Sequence, residues 1–221
     1  MTMLSSLDLI RRVPLFSMLT ESQAIAVADA VVKRRFKRGE VIVEQGKKSN
    51  ALFILLNGRA RVLTADSRGR EVILATLQPG DHIGEMSLID NEPHSATVRA
   101  EIQTDVLMLG RLEFARCLPE NTSMAYAVMR GLVQRLRHAD RKIESLALMD
   151  VYGRVARLLI EMSEDVGGEA VVVRKISKQD IAKMIGASRE MVSRVMKDLS
   201  QQGLIEERPQ GIVLCERLGA A

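Results

Sequence analysis

Between Ile176 and Leu199 the chain spells a short helix, a tight turn and a second helix with a divided surface. Val192, Val195, Met196 and Leu199 fall at i, i+3, i+4 and i+7, the spacing of a buried helical stripe. Ser188, Arg189, Glu190, Ser193 and Arg194 belong to the other side. Gly186 stands where a left-handed residue is needed between the helices, and Ser188 is a good N-cap. Arginine reaches guanine O6 and N7 through two parallel hydrogen bonds, and a carboxylate accepts from cytosine N4. An exposed Arg-Glu-x-x-x-Arg face on the second helix of such a pair is equipped to read base edges. The alternative is a solvated helix with a Glu190–Arg194 pair worth roughly 0.2–0.5 kcal/mol. Turn, cap, stripe and polar face all favour the first reading.

Overall charge says less. The 221 residues carry a net charge of only +4, which does not by itself imply nucleic acid. Locally, residues 174–197 hold seven Lys or Arg against Asp180 and Glu190. Such a patch attracts phosphates and makes affinity fall with added salt. The length allows two domains with their own cores. Cys117 and Cys215 lie far apart, without metal-ligand or disulfide-framework spacing. Cys117 reads as a small buried residue and Cys215 as a terminal strand residue. No apolar run approaches membrane-spanning length and no signal-peptide layout is evident, so a cytoplasmic protein without membrane association is expected.

Residues 4–30 suggest two short helices around Pro14-Leu15-Phe16, with Thr20 or Ser22 as caps. Short β-rich runs follow: 41–43, 52–56, 60–63, 72–74, 96–98 and 106–109. Gly39, Gly46, Gly58, Gly69, Gly80 and Gly84 punctuate them. That rhythm indicates a small antiparallel barrel or sandwich. A long helical stretch comes next, from about Thr122 to Leu148. Ala125, Met129, Leu132, Leu136, Ala139, Ile143 and Leu146 step by four and three in turn, a heptad seam. Val128 and Val133 lie beside it, free to pack on the barrel. A parallel coiled-coil homodimer is expected, with Met129, Leu132, Leu136, Ala139, Ile143 and Leu146 at the interface. Two-fold symmetry would bring paired recognition helices to major grooves one turn apart. Beyond a boundary near Leu148–Asp150, Val155, Leu158, Leu159 and Met162 mark another helix. Val171-Val172-Val173 reads as a strand, and Leu204-Ile205 with 211–214 as a two-stranded wing.

Several segments carry a family resemblance: Ile83-Gly84-Glu85-Met86-Ser87-Leu88, His94-Ser95-Ala96-Thr97-Val98-Arg99-Ala100, Asp150-Val151-Tyr152-Gly153-Arg154-Val155-Ala156 and Ser188-Arg189-Glu190-Met191-Val192-Ser193-Arg194. In this order the chain resembles the cyclic-AMP receptor protein / fumarate–nitrate reduction regulator (CRP/FNR) family along nearly its whole length. The resemblance implies an α+β fold: an effector-binding, jelly-roll-like β-roll with N-terminal helices over 1–120, a dimerisation helix over 121–148 and a winged helix-turn-helix over 149–221. It implies a homodimeric transcription regulator, not an enzyme, with RNA polymerase as a partner. The 164–169 loop stands where relatives touch polymerase. Arg189, Glu190 and Arg194 should face a palindromic site with TGTGA-like halves in double-stranded DNA. Ser177, Lys178 and Gln179 should contact phosphate.

At the effector pocket the chain departs from its cyclic-AMP-binding relatives. Gly84 and Glu85 match the segment that holds ribose and phosphate. The Arg-Ser pair that takes the cyclic phosphate is His94-Ser95 here. Histidine titrates near about 6.5 and offers no charged fork. Where relatives present Thr and Ser hydroxyls to adenine stand Ala139 and Asp140. A carboxylate only accepts, and the N1–H and N2–H₂ edge of guanine is a paired donor that fits it. Cyclic di-GMP is the leading effector on this reasoning, and cyclic AMP is disfavoured. Asp140 could instead pair with Arg137 or Arg141. No tightly bound cofactor, metal site or catalytic constellation is indicated, and haem has little support. Two competing functions remain at this point: a regulator of the same fold that needs no effector, and a cyclic-AMP-responsive one with an altered pocket.

Overall fold

The structure is a computed structural model that describes residues 10, 13–16, 19–120, 122–215 and 218. The helix expected ahead of Pro14 lies outside the described residues, and the Cys117 side chain is not described either. The chain divides into two compact units between Leu136 and Arg137.

The first unit begins with a 3-10 turn, Pro14–Phe16, and helix α1, Glu21–Ala30. Thr20, not Ser22, caps α1. Its hydroxyl accepts from the Gln23 amide, and the Gln23 side chain accepts from the Thr20 amide in return. The strands that follow are β1 (Val32–Phe36), β2 (Val41–Val43), β3 (Ala51–Asn57), β4 (Ala60–Ala65), β5 (Glu71–Leu77), β6 (His82–Ile83), β7 (Thr97–Ala100) and β8 (Thr104–Gly110). A short helix α2, Glu85–Asp90, sits between β6 and β7. The strands pair antiparallel as two four-stranded sheets, β1-β8-β3-β6 and β2-β7-β4-β5.

Strand β3 shows why the unit holds together. Successive side chains point to opposite faces. Phe53 and Leu55 enter the core between the sheets, with Phe36, Val98 and Val106. Leu52 and Ile54 enter a second core, with Val27, Leu107, Leu109 and Phe114. Both faces of β3 are therefore covered, and Ala51 to Leu55 are all buried. Helix α3, Arg111–Glu120, contributes Phe114 to that second core.

Helix α4, Thr122–Leu148, runs through the boundary between the units. Val128 is buried in the second core of the first unit, and Leu132 packs against it. Tyr126, Met129, Val133, Leu136, Ile143 and Leu146 are between 49% and 66% exposed. This alters the sequence-derived stripe at two places. Leu132, expected in the seam, covers the roll. Val133, expected on the roll side, is exposed.

The second unit starts at helix α5, Val151–Met162, whose Asp150 cap accepts from the Gly153 amide at 2.8 Å. Strands β9 (Glu164–Val166) and β10 (Glu169–Val172) make a hairpin, so the segment read as a loop at 164–169 is mostly strand. Helices α6 (Lys178–Ile185) and α7 (Arg189–Gln201) follow, then β11 (Ile205–Arg208) and β12 (Gly211–Leu214). The wing is thus part of a four-stranded sheet, β11-β12-β10-β9. Val155, Leu159, Ile181, Val192, Leu199 and Ile205 form its core. Cys215 is exposed just past β12. Among the described residues no helix is long and apolar enough to cross a membrane.

Candidate functional site

Helices α6 and α7 are set by caps written into the sequence. The Ser177 hydroxyl accepts from the Asp180 amide at 3.0 Å, and the Ser188 hydroxyl from the Met191 amide at 3.2 Å. The Ser188 O–H in turn donates to the Glu190 carboxyl. Gly186 ends α6 with φ 66 and ψ 44, a left-handed conformation that glycine adopts without a Cβ penalty. The Arg154 guanidinium of α5 donates to the Ile185 carbonyl at 2.7 Å, closing the end of α6. Sequence reasoning missed this clamp.

Val192, Met196 and Leu199 are buried under α7 and Val195 packs beside them. Arg189, Glu190 and Arg194 are exposed, and Ser193 is half-buried. The α7 amide at Glu190 itself and the Ser188 side chain hold the Glu190 carboxyl below the usual carboxylate range, with smaller help from Arg189 and Arg194. It is an anion poised at a helix N-terminus. Ser177, Lys178 and Gln179 are exposed at the start of α6. A cavity of about 280 Å³ lies beside them, lined among others by Arg174, Lys175, Lys178 and Arg208. Arg208 is tied to Glu169 at 2.9 Å and Glu206 at 2.7 Å. The DNA-reading candidates therefore lie at the head of α6 and along the first turns of α7, and Lys178 borders the basic cavity.

The effector candidates fall into separate groups. Gly84 precedes α2 with φ 92, and a Cβ there would stand 2.8 Å from the Ala51 carbonyl oxygen. Only glycine fits, and its place delivers Glu85 inward to 1% exposure. One Glu85 oxygen accepts from the Arg135 guanidinium of α4, which also donates to the His82 carbonyl. The other Glu85 oxygen and the His82 Nε2 are buried without a hydrogen-bond partner among the described residues. Burial pushes the Glu85 carboxyl above its ordinary value against the pull of Arg135. Burial, helped by the Arg135 charge, pushes the His82 imidazole down to about 4.

His94 is buried elsewhere in the roll, with Nε2 2.8 Å from the Ser49 hydroxyl. Burial lowers its pKa, so it is a neutral ring rather than a charged anchor. It lines a cavity of about 320 Å³ together with Arg34, Phe36, Val43, Lys48 and Ser49. Gly84 and Glu85 do not line that cavity. Ser95 is exposed, and so are Ala139 and Asp140 on α4. Among the described residues Asp140 makes no hydrogen bond or ion pair, either with Arg137 or with Arg141. Arg135 and His82 escaped sequence reasoning. Arg135 could have been found from its place one helical turn before Ala139.

Residues 33–121 match the cyclic nucleotide-binding domain and residues 153–219 the Crp-like helix-turn-helix domain. The chain is 32% identical to the cAMP-activated global transcriptional regulator Vfr of Pseudomonas aeruginosa, over 82% of this chain and 88% of that one. It is 30% identical to the cAMP-activated global transcriptional regulator CRP of Salmonella typhimurium, over 81% and 88%. A solved structure of the c-di-GMP responsive global regulator CLP of Xanthomonas campestris superposes with TM-score 0.76 at 24% identity, covering 88% of this chain and 99% of that one.

Proposed function

The chain belongs to the CRP/FNR family of transcription regulators, and from that premise we propose that it works as a homodimer on palindromic DNA under the control of a nucleotide. It is a regulator with a cyclic-nucleotide-binding domain and a helix-turn-helix domain rather than an enzyme. The carrying observation is the exposed Arg189, Glu190 and Arg194 on a helix that is capped and packed from below. Arg189 and Arg194 read guanines and Glu190 a cytosine in each half of a TGTGA-like site. Ser177, Lys178 and Gln179 take phosphates, and Ser188 and Ser193 of α7 belong to the same DNA-binding set. Residues 1–120 sense, 121–148 dimerise and 149–221 read, with the hinge at Leu148–Asp150 resetting the distance between reading helices. RNA polymerase is the protein partner and the cytoplasm the compartment.

The effector is a guanine nucleotide, cyclic di-GMP before cyclic AMP. Three observations support this. His94 is neutral and already turned to Ser49, so it offers no charged fork to a cyclic phosphate. Arg34 and Lys48 supply the positive charge of the His94 cavity instead. Asp140 is an unpaired carboxylate, an acceptor for the donor edge of guanine. Gly84, Glu85, Ser95 and Ala139 are the remaining residues proposed to contact the effector.

A mobility shift on a TGTGA…TCACA palindrome, with cyclic AMP, cyclic GMP or cyclic di-GMP added in turn, tests both parts. Tighter binding with cyclic di-GMP alone is expected. Calorimetry on Asp140→Ala should then show weakened guanine-nucleotide binding. A footprint indifferent to every nucleotide would favour the effector-independent regulator, and one tightened by cyclic AMP the altered cyclic-AMP sensor.

A further inference from the structure

Helix α7 carries five apolar side chains, Met191, Val192, Val195, Met196 and Leu199. Val192, Met196 and Leu199 are buried beneath the helix, and Val195 packs against the same core. Met191 is 45% exposed. A single exposed apolar side chain is ordinary in itself; the place of this one is not. Each residue turns the helix by about 100°, so the burial of Val192 swings the preceding side chain away from the core. Its exposed neighbours are Glu190, adjacent in the chain, and Arg194, one turn further on. The Ser188 hydroxyl accepts from the Met191 amide at 3.2 Å, which fixes this residue in the first turn. The first turn is the part of a reading helix that meets base edges. Met191 therefore stands among charged readers without serving the core that holds the helix.

We propose that Met191 is a further base-reading residue, which packs its thioether on the C5-methyl group of a thymine beside the base pair that Arg194 reads. This rests on the DNA reading proposed above. Along the major groove the base edges offer hydrogen-bond donors and acceptors, and one apolar group, the thymine methyl. Arg189, Glu190 and Arg194 answer the polar groups. The methyl needs an apolar partner, and Met191 is the exposed one on this helix. A Met side chain is unbranched, and its polarisable sulfur adapts to irregular apolar surface. When the helix closes on the duplex, thioether and methyl leave water together. A uracil in the same place pairs identically but removes the partner. The difference is that of burying about one methyl group, roughly four-fold in affinity for each half-site. The selectivity is for the methyl itself and not for a hydrogen-bonding pattern.

Anisotropy titrations of the full-length protein on a TGTGA…TCACA duplex test this, with deoxyuridine replacing one thymine of one half-site at a time. They are run with whichever of cyclic di-GMP, cyclic GMP, cyclic AMP or no nucleotide gives the tightest mobility shift. Wild type should lose affinity roughly four-fold at one thymine position. Met191→Ala, which alters both halves, should bind the unmodified duplex roughly ten-fold more weakly and ignore deoxyuridine at that position. Met191→Leu should keep most of the sensitivity. Both variants should match wild type on a scrambled duplex. If wild type ignores every deoxyuridine, or Met191→Ala stays as sensitive as wild type, the methyl contact is overturned and reading by Arg189, Glu190 and Arg194 stands. Equal loss on the scrambled duplex for Met191→Ala overturns it too. If wild type itself does not prefer the palindrome to the scrambled duplex, base reading by α7 falls with it.

Discussion

Arg135 holds only one oxygen of Glu85; the other is buried without a partner among the described residues. The same guanidinium also ties down the His82 carbonyl, so a single α4 side chain secures two points of the roll. Both lie beside Gly84, in the segment that relatives use for a nucleotide. The ion pair is thus a structural tie between helix and roll.

Removing Arg135 leaves the Glu85 carboxylate buried and uncompensated. Arg135→Ala should cost about 2–3 kcal/mol at neutral pH, less than for a wholly buried pair because the arginine is 40% exposed. The Glu85 carboxyl titrates above its ordinary 4.5 in the fold. Its contribution is therefore full below 4.5 and lost as pH rises through the raised value. The deficit of Arg135→Ala should grow with pH across that window, as measured by urea unfolding.

His82 has the opposite sign. Its value falls from 6.5 to about 4 in the fold, so the unfolded chain takes up the proton first. The stability it contributes is present above 6.5 and is lost as pH falls toward 4, amounting to as much as about 3 kcal/mol. His82→Phe should flatten that acid limb. Urea midpoints of wild type and variant at pH 7.5 and 5 compare them directly; equal losses would assign the acid sensitivity elsewhere.

Alanine exceeds glycine in helix interiors by roughly 1 kcal/mol. At Gly131, however, a Cβ would stand 3.0 Å from His82 Cε1 and 3.2 Å from Nε2. Gly131→Ala should therefore fail to stabilise wild type, and should gain about 1 kcal/mol in a His82→Ala background. A double-mutant cycle measures the coupling. Identical effects in both backgrounds would show that the imidazole is not the obstacle.

On DNA, Arg189→Ala and Arg194→Ala should each cost about 1–3 kcal/mol and relax preference at one base pair. Lys178→Ala should weaken consensus and scrambled duplexes alike and reduce the salt slope by about one. Titrations of both duplexes at several salt concentrations separate the two behaviours. Equal loss on both duplexes for Arg189→Ala would contradict base reading.

The reading helix was legible because its caps, stripe and polar face all lie within twenty-odd consecutive residues. The central strands were legible for a similar reason, since apolar runs such as 52–56 signal burial on their own. Strand β1 was not, because Val-Lys-Arg-Arg-Phe is an edge strand with four of five residues exposed, and it lacks apolar alternation. Helix α4 was located correctly but misjudged by one position, as Leu132 and Val133 are neighbours and only packing tells which one turns to the roll. The Arg135–Glu85 pairing was invisible for another reason: the two are fifty residues apart, and only the position of Arg135 on α4, one turn before Ala139, hinted at its side of the helix.

The serines that start α6 and α7 have a consequence for how a duplex is met. With the first turns already closed by Ser177 and Ser188, the head that enters the groove exists before any groove arrives. Association then spends nothing on folding it, and the free energy of contact is left to tell right bases from wrong ones.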